Sequence, residues 1–168
     1  VVLGYLVLGV VMGLAVGAAM TGLRPIAELM YMDFALMASD QIANQAGKWH
    51  YMSGAQTEVP LVYRMSVGGG KGYGGQHSQT LESMFAHIPG LRVVIPSSPS
   101  RAYGLLLSAI RDPDPVVFFE PKRLYRAGRE AVDETGDGLP LDTAFTLRTG
   151  RDLTIVTWGA SLFECLGA

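Results

Sequence analysis

The sequence predicts an α/β fold, a parallel sheet with helices on both faces. Three observations carry that expectation. Val93-Val94-Ile95 and Val116-Val117-Phe118-Phe119 are continuous apolar runs, the pattern of strands buried on both faces. Amphipathic helix patterns lie between such runs, as in layered α/β architectures. A glycine-rich segment, residues 68–79, comes after the apolar run at 60–67. It sets bare backbone at a strand C-terminal end, where ligands bind on such sheets.

The elements come in order. Residues 6–21 read as a helix closed by Gly22 and stopped by Pro25. Residues 26–30 read as a short strand. A helix is expected over 33–49 with Asp33 as its N-cap, then a loop at 54–58 and a strand at 60–67. Leu81, Met84, Phe85 and Ile88 share one face of a helix expected over 78–88. Pro89-Gly90 ends it, and 91–95 reads as a strand. Ser98-Pro99 supplies a cap and an N1 proline for the next helix. The rigid turn at 111–115 leads into a strand at 116–119. Residues 120–142 are polar, rich in Gly and Pro and without period, so they read as a long connection. A last strand is expected at 153–158.

The chain has 168 residues, enough for one domain with a sizeable core. Its net charge of −2 and the lack of a basic block speak against nucleic-acid binding. One cysteine, Cys165, gives no disulfide framework and fits a reducing compartment. Residues 1–23 carry no charge and by length could span a membrane. The α/β pattern of the rest favours a buried helix instead, with no membrane partner. No basic residue precedes the apolar run, against a signal peptide. The missing initiator methionine suggests a fragment.

Several motifs invite a functional reading. Gly70-Lys71-Gly72-Tyr73-Gly74-Gly75 spells G-x-G-x-x-G, but the next strand ends in Ile95-Pro96-Ser97 without the acid a dinucleotide site wants. Lys71 is followed by Gly72, so Walker A fails as well; a solvated loop lysine is the plainer reading of Lys71. Gly136-Asp137-Gly138 starts like the metal–diphosphate motif of thiamine enzymes, yet the only asparagine is Asn44. It reads as a linker turn. His77 is either a satisfied helix-start histidine or a functional ring at a strand end. His50 and His87 read as helix-end and surface residues. Glu28 is a candidate buried carboxylate or a partner for a nearby arginine such as Arg24. Asp40, Gln41 and Asn44 form a polar stripe, either solvated or a subunit contact. Phe34 reads as core.

Gly22-Leu23-Arg24-Pro25-Ile26-Ala27-Glu28, Asp40-Gln41-Ile42, Val59-Pro60-Leu61-Val62, Gly75-Gln76-His77-Ser78-Gln79, His87-Ile88-Pro89-Gly90-Leu91 and Ala109-Ile110-Arg111-Asp112-Pro113 occur in this order. Together they resemble the beta subunit of a thiamine-diphosphate-dependent 2-oxo acid dehydrogenase of the pyruvate, branched-chain or acetoin type. The resemblance implies a transketolase-like pyrimidine-binding domain over 1–130, a linker over 131–150 and a truncated start of the transketolase C-terminal domain over 151–168. It implies thiamine diphosphate shared with an alpha subunit, with magnesium on the alpha side, a second beta subunit, and a lipoyl acyltransferase core. Phe34 would stack on the aminopyrimidine. His77 would face the reacting carbon and assist acyl transfer. Carbonyls around Leu61, Ala109, Ile110, Asp112 and Asp114 match a potassium loop of some relatives. The implied location is the bacterial cytoplasm or, second, the mitochondrial matrix. The resemblance leaves the 2-oxo acid open, with a lean to the bacterial pyruvate or acetoin type.

One position departs from that pattern. The family places on the aminopyrimidine nitrogen a glutamate that activates the cofactor, and the matching position is Leu8. Leucine cannot make that hydrogen bond. Either the first residues are artefactual or truncated, which is the favoured expectation, or the chain is an inactive pairing module. The fragment alone is expected to be inactive.

Overall fold

The computed structural model describes residues 2–70 and 72–168. Four strands form one sheet in the order β1-β2-β4-β3, where β1 is Ile26–Leu29, β2 Val62–Val67, β3 Arg92–Val94 and β4 Val116–Pro121. Every pairing is parallel, as the unbroken apolar runs predict. Val116, Val117, Phe118 and Phe119 are each fully buried. Alternate residues of β4 serve opposite cores. Val117 and Phe119 join the core that contains α1 (Val2–Met20) and Phe85 of α3 (Glu82–Ala86). Val116 and Phe118 join Leu105 and Ala109 of α4 (Pro99–Arg111). Helices therefore cover both faces.

The helix α1 is a core element on one side. Met12, Val16 and Ala19 are buried in the larger core. Leu3, Val7, Val10 and Leu14 line an exposed side, with Leu3 74% exposed. Among the described residues no helix is long and apolar enough to cross a membrane. Ser98 caps α4 as expected, its hydroxyl accepting from the Arg101 amide, with Pro99 at N1.

Three expectations about helices are corrected. The helix expected over 33–49 is a 3₁₀ segment (Met32–Ala38), a π segment (Gln41–Ala46) and then α2 (Gly47–Met52). Its buried residues explain the change. Met32, Ala35 and Ala38 are spaced by three; Ala38, Ile42 and Ala46 by four. A tight coil followed by a wide one keeps one apolar face toward the core. Asp33 is not the N-cap: Tyr31 holds that place in extended conformation. The helix expected over 78–88 is shortened to α3, because residues 79 and 81 are bonded elsewhere. Gln79 O accepts from Gly68 N, and Leu81 N approaches the Met32 sulfur.

The strand expected at 153–158 does not form. Leu153, Ile155, Val156 and Trp158 are exposed, and the described residues offer this stretch no strand neighbour; a lone strand has no ladder to stabilise it. Two short pieces come next, a 3₁₀ turn (Gly159–Ser161) and α5 (Leu162–Gly167). The long connection has little regular structure, yet it is anchored. Leu139 N donates to Gly104 O, and Leu139 and Leu141 pack on the α4 core. Asp142 pairs with Arg92 at 2.7 Å. Gly138, the end of Gly136-Asp137-Gly138, lies against Ser108 of α4.

Gly90 tests this packing. Its φ is +90°, and a Cβ there would lie 1.7 Å from the Gly47 carbonyl oxygen. Gly90→Ala is expected to destabilise the chain by about 3 kcal/mol or more. Gly9→Ala, with no atom near its Cβ position within α1, should stabilise by up to about 1 kcal/mol. Urea unfolding of the two variants checks both signs.

Candidate functional site

Three rings from two segments meet where β1 and β2 end. Tyr31 comes just after β1, and Phe34 lies three residues on in the 3₁₀ turn, so both side chains leave the same face. His77 arrives on the glycine loop after β2. The His77 ring stands edge-on to Tyr31 at 4.8 Å and to Phe34 at 5.2 Å. Tyr31 and Phe34 are themselves 5.9 Å apart and edge-on. Such edge-to-face pairs add about 0.5–1.5 kcal/mol each to simple burial. Phe34 and His77 are half-buried, so the cluster is ordered and still reachable. The glycine loop and the resemblance point to His77, and the resemblance alone to Phe34; the structure brings them together.

The loop reaches this position by left-handed turns at Gly68, Gly72 and Gly74, where glycine carries no steric penalty. Its far end is fixed by Gln79, whose backbone N–H and side-chain amide both donate to Asp33 Oδ1, at 3.3 and 2.8 Å. Asp33 is the one charged side chain found buried among the described residues. A partner 46 residues away has replaced its expected capping role. Lys122, just past β4, donates from Nζ to the His77 carbonyl. The same ammonium lies 4.4 Å from the Tyr31 ring centre and 5.2 Å from that of Tyr73, within cation–π range. Burial lowers its pKa, opposed by the Asp33 charge. Sequence reasoning does not single out Tyr31, Tyr73 or Lys122. The i, i+3 aromatic pair Tyr31–Phe34 is a usable signal; Lys122 sits in a stretch that reads as connection.

Beside the rings a cleft of about 810 Å³ opens over the strand ends, bordered by Tyr31, Tyr73, Arg64, Glu120, Lys122 and Tyr125. Its floor is a row of ions across three strands. Arg64 of β2 donates to Glu28 of β1 at 2.8 Å and to both carboxylate oxygens of Glu120 on β4, at 2.5 and 3.0 Å. Tyr125 donates to Glu120 at 2.7 Å. The hydrogen bonds to Glu120 raise the Arg64 pKa. Glu28 is therefore not buried, at 60% exposed, but paired with an arginine as the second reading has it, the partner being Arg64 and not Arg24.

Arg24 goes elsewhere. Its Nη1 donates to Ile110 O and Asp112 O, each at 2.9 Å. These are two of the five expected potassium carbonyls. Leu61 O accepts from Val116 N, and Asp114 N is held by the Asp112 side chain. Ala109 is buried in α4. This cluster sits where β2 and β4 begin, at the opposite end of the sheet from His77. Leu8 is half-buried against the larger core and presents only hydrocarbon. Lys71 lies outside the described residues. His50 Nδ1 sits 3.0 Å from Thr57 O at the end of α2, and His87 is exposed. Asp40, Gln41, Asn44, Gln45 and Lys48 bond to one another along one side of the π segment. Those bonds, chiefly from Asn44, lower the Asp40 pKa.

Asp33→Ala should remove the acceptor for both Gln79 bonds and cost about 1–3 kcal/mol, with faster amide hydrogen exchange at residues 77–80. Asp40→Ala, at an exposed site, should leave the denaturant midpoint close to that of the parent. Denaturant midpoints and exchange rates of the two variants decide it; equal effects would deny Asp33 its anchoring role.

Comparison with known proteins fits this geometry. The family model for the transketolase pyrimidine-binding domain matches residues 10–128. The chain is 47% identical over 161 residues to the mitochondrial 2-oxoisovalerate dehydrogenase subunit beta of Chaetomium thermophilum, covering 94% of this chain and 34% of that protein. It is 49% identical to the acetoin:2,6-dichlorophenolindophenol oxidoreductase subunit beta of Cupriavidus necator, over 93% of this chain and 46% of the relative. It is 51% identical to the pyruvate dehydrogenase E1 component subunit beta of Porphyra purpurea, over 87% and 44%. The chain thus spans between a third and a half of these relatives. A solved structure described as split gene transketolase, inactive beta4 tetramer, superposes with a TM-score of 0.59 at 19% identity, over 79% of this chain and 39% of that one; this speaks to the fold. The parallel sheet, the rings at its C-terminal end and the matched residues 10–128 agree, and the chain belongs to the transketolase pyrimidine-binding domain family.

Proposed function

We propose that this chain is the pyrimidine-binding part of a beta subunit of a thiamine-diphosphate-dependent 2-oxo acid dehydrogenase. Paired with an alpha subunit and a second beta subunit, it would serve the oxidative decarboxylation of pyruvate or a related 2-oxo acid. The acyl group would pass to a lipoyl acyltransferase core. An acetoin dehydrogenase beta subunit is the alternative substrate assignment. The observation that carries the reading is the His77 ring held edge-on to Phe34 at 5.2 Å beyond the strand ends. Relatives named for mitochondria and relatives from bacteria both support a matrix or cytoplasmic setting, with the bacterial cytoplasm preferred. The domain limits proposed are 1–130, a linker over 131–150 and the start of a further domain over 151–168; the match over 10–128 supports the first.

The residues fit half of what such a cofactor needs. Phe34 offers a half-exposed aromatic face on which a heteroaromatic ring can stack. The left-handed glycines let the backbone of the loop approach closely without side chains intervening. Position 8 does not fit: Leu8 has no side-chain atom to accept or donate a hydrogen bond. Thiamine diphosphate, when bound, supplies the carbanion chemistry. His77 is the imidazole of the cluster and is the group to hold or hand over a proton near the substrate carbonyl. Tyr31 and Phe34 limit its rotation. The cleft beside it carries both signs of charge, with Arg64 paired to Glu28 and Glu120 along its floor. Magnesium belongs to the alpha side in this proposal, since the asparagine of the metal–diphosphate motif is absent from the sequence. The carbonyls of Leu61, Ala109, Ile110, Asp112 and Asp114 remain the proposed potassium loop, with Arg24 on two of them. The exposed apolar side of α1 supports pairing with another subunit.

Leu8 favours a second reading, a pairing module without chemistry. Reconstitution of the full-length protein with its alpha subunit separates the two. With Leu8 in place, little or no decarboxylation is expected. Leu8→Glu should raise it, and His77→Ala in that background should lower acyl transfer about a hundredfold or more with little change in melting temperature. Continued inactivity of Leu8→Glu would favour the pairing module. Full turnover with Leu8 in place would overturn the expectation that Leu8 disables the chain, and with it the pairing module. A large loss of melting temperature in His77→Ala would make His77 structural.

A further inference from the structure

Lys122 touches the glycine loop in three places. Its Nζ donates to the His77 carbonyl. Its ammonium lies over the rings of Tyr31 and Tyr73. Its Cβ lies where a side chain on Gly70 would come within 3.7 Å. The loop therefore folds around this side chain, with Gly70 and Tyr73 on one arm and His77 on the other. Tyr73 is itself drawn toward the His77 arm, its N–H donating to Ser78 Oγ at 3.0 Å. Tyr31 completes the circuit, since it contacts both the Lys122 ammonium and the His77 ring.

An ammonium has three donors. Here one is engaged by a carbonyl, and two aromatic faces take up the charge. That arrangement suits a fixed cation better than a solvated one. It also differs from a substrate-binding lysine, whose donors would be turned toward the open cleft. The neighbours Arg64 and Arg123 are paired with carboxylates, to Glu120 and Glu164. The contacts of Lys122 are instead a carbonyl and two rings. Asp33, the acid whose charge it senses, is already bonded to Gln79.

We infer that Lys122 is a positioning residue for His77: it ties the His77 backbone to the end of β4 and so fixes the imidazole against Tyr31 and Phe34. The role in reaction rests on the function proposed above; the tie itself does not. Its loss leaves the sheet intact and frees the loop to carry the ring away from the cluster. A displacement of about 1 Å at a reacting group can cost up to a hundredfold in rate. Arginine, which keeps the charge and the cation–π contact, should preserve most of the effect, and methionine, which keeps the length, should not.

The test uses the full-length chain, histidine-labelled for NMR, with His77 assigned by His77→Asn. The edge-on rings displace the His77 ring-proton shifts from those of a solvated histidine. Lys122→Met is expected to abolish that displacement, and Lys122→Arg to keep it, with melting temperatures close to that of the parent. In the assembly carrying Leu8→Glu, Lys122→Met should lower kcat for acyl transfer about tenfold to a hundredfold, with KM changed less than kcat. Unchanged His77 shifts in Lys122→Met overturn the tie. Lost shifts with undiminished acyl transfer overturn the positioning role. If the assembly shows no acyl transfer with Lys122 in place, the functional reading fails, and the shifts alone decide whether Lys122 holds the ring.

Discussion

The structure depends on the burial of β4 from both sides. Four consecutive side chains, Val116 to Phe119, are fully enclosed. Full burial of each is worth about 1.5–3 kcal/mol, so this strand is a large hydrophobic commitment for its length. It also sits inside the sheet, with β2 on one side and β3 on the other. Phe119 meets Phe85 edge-on at 5.6 Å, fixing α3 to the sheet. Phe118 faces α4. With the strand immobile, the residues after it start from a known place.

Those residues make up the polar end of the molecule. The apolar run gives way at Glu120, and within three residues the chain supplies Glu120 to Arg64 and Lys122 to His77. The row Glu28–Arg64–Glu120 crosses three neighbouring strands where their ends leave the apolar core. Removing one member would strand the others, since a half-satisfied polar network is costlier than none. The rings of Tyr31, Phe34 and His77 stand beside this row. One end of the sheet thus combines charge, aromatic surface and glycine-rich backbone, while the other end is closed by Arg24 and helix carbonyls. The candidate chemistry gathers at the end where the strands run out of hydrocarbon.

Much of this was legible in the sequence. Unbroken apolar runs pointed to the parallel sheet, and a glycine loop after a strand located His77. The helix starting at Ser98 was readable because its cap is local. The errors have a common cause. Asp33 has a capping residue's chemistry, but its carboxylate bonds to Gln79 across 46 residues. Residues 78–80 fall within the expected helix, but the same tie and Gly68 hold them out of it. Residues 153–158 have a strand's composition and, among the described residues, no strand to pair with. Local signals failed wherever a distant partner, present or absent, decided the conformation. The 3₁₀ and π segments are the exception: the change from three- to four-residue apolar spacing at Ala38 is local, and it marks the change of coil.

The strand order has a consequence for how the chain comes together as it leaves the ribosome. β3 is synthesised before β4, yet its pairing is with β4. Parallel neighbours need a crossover before they can bond, so β1 and β2 can meet early while β3 waits without a ladder. The histidine loop is made in that interval and emerges before the lysine that closes it, 45 residues later. Until then the apolar residues of β2 have an uncovered side, open to wrong partners or to a chaperone. In order of synthesis, the tie on the loop can form only once the six-residue β4 and the Lys122 that follows it have been made.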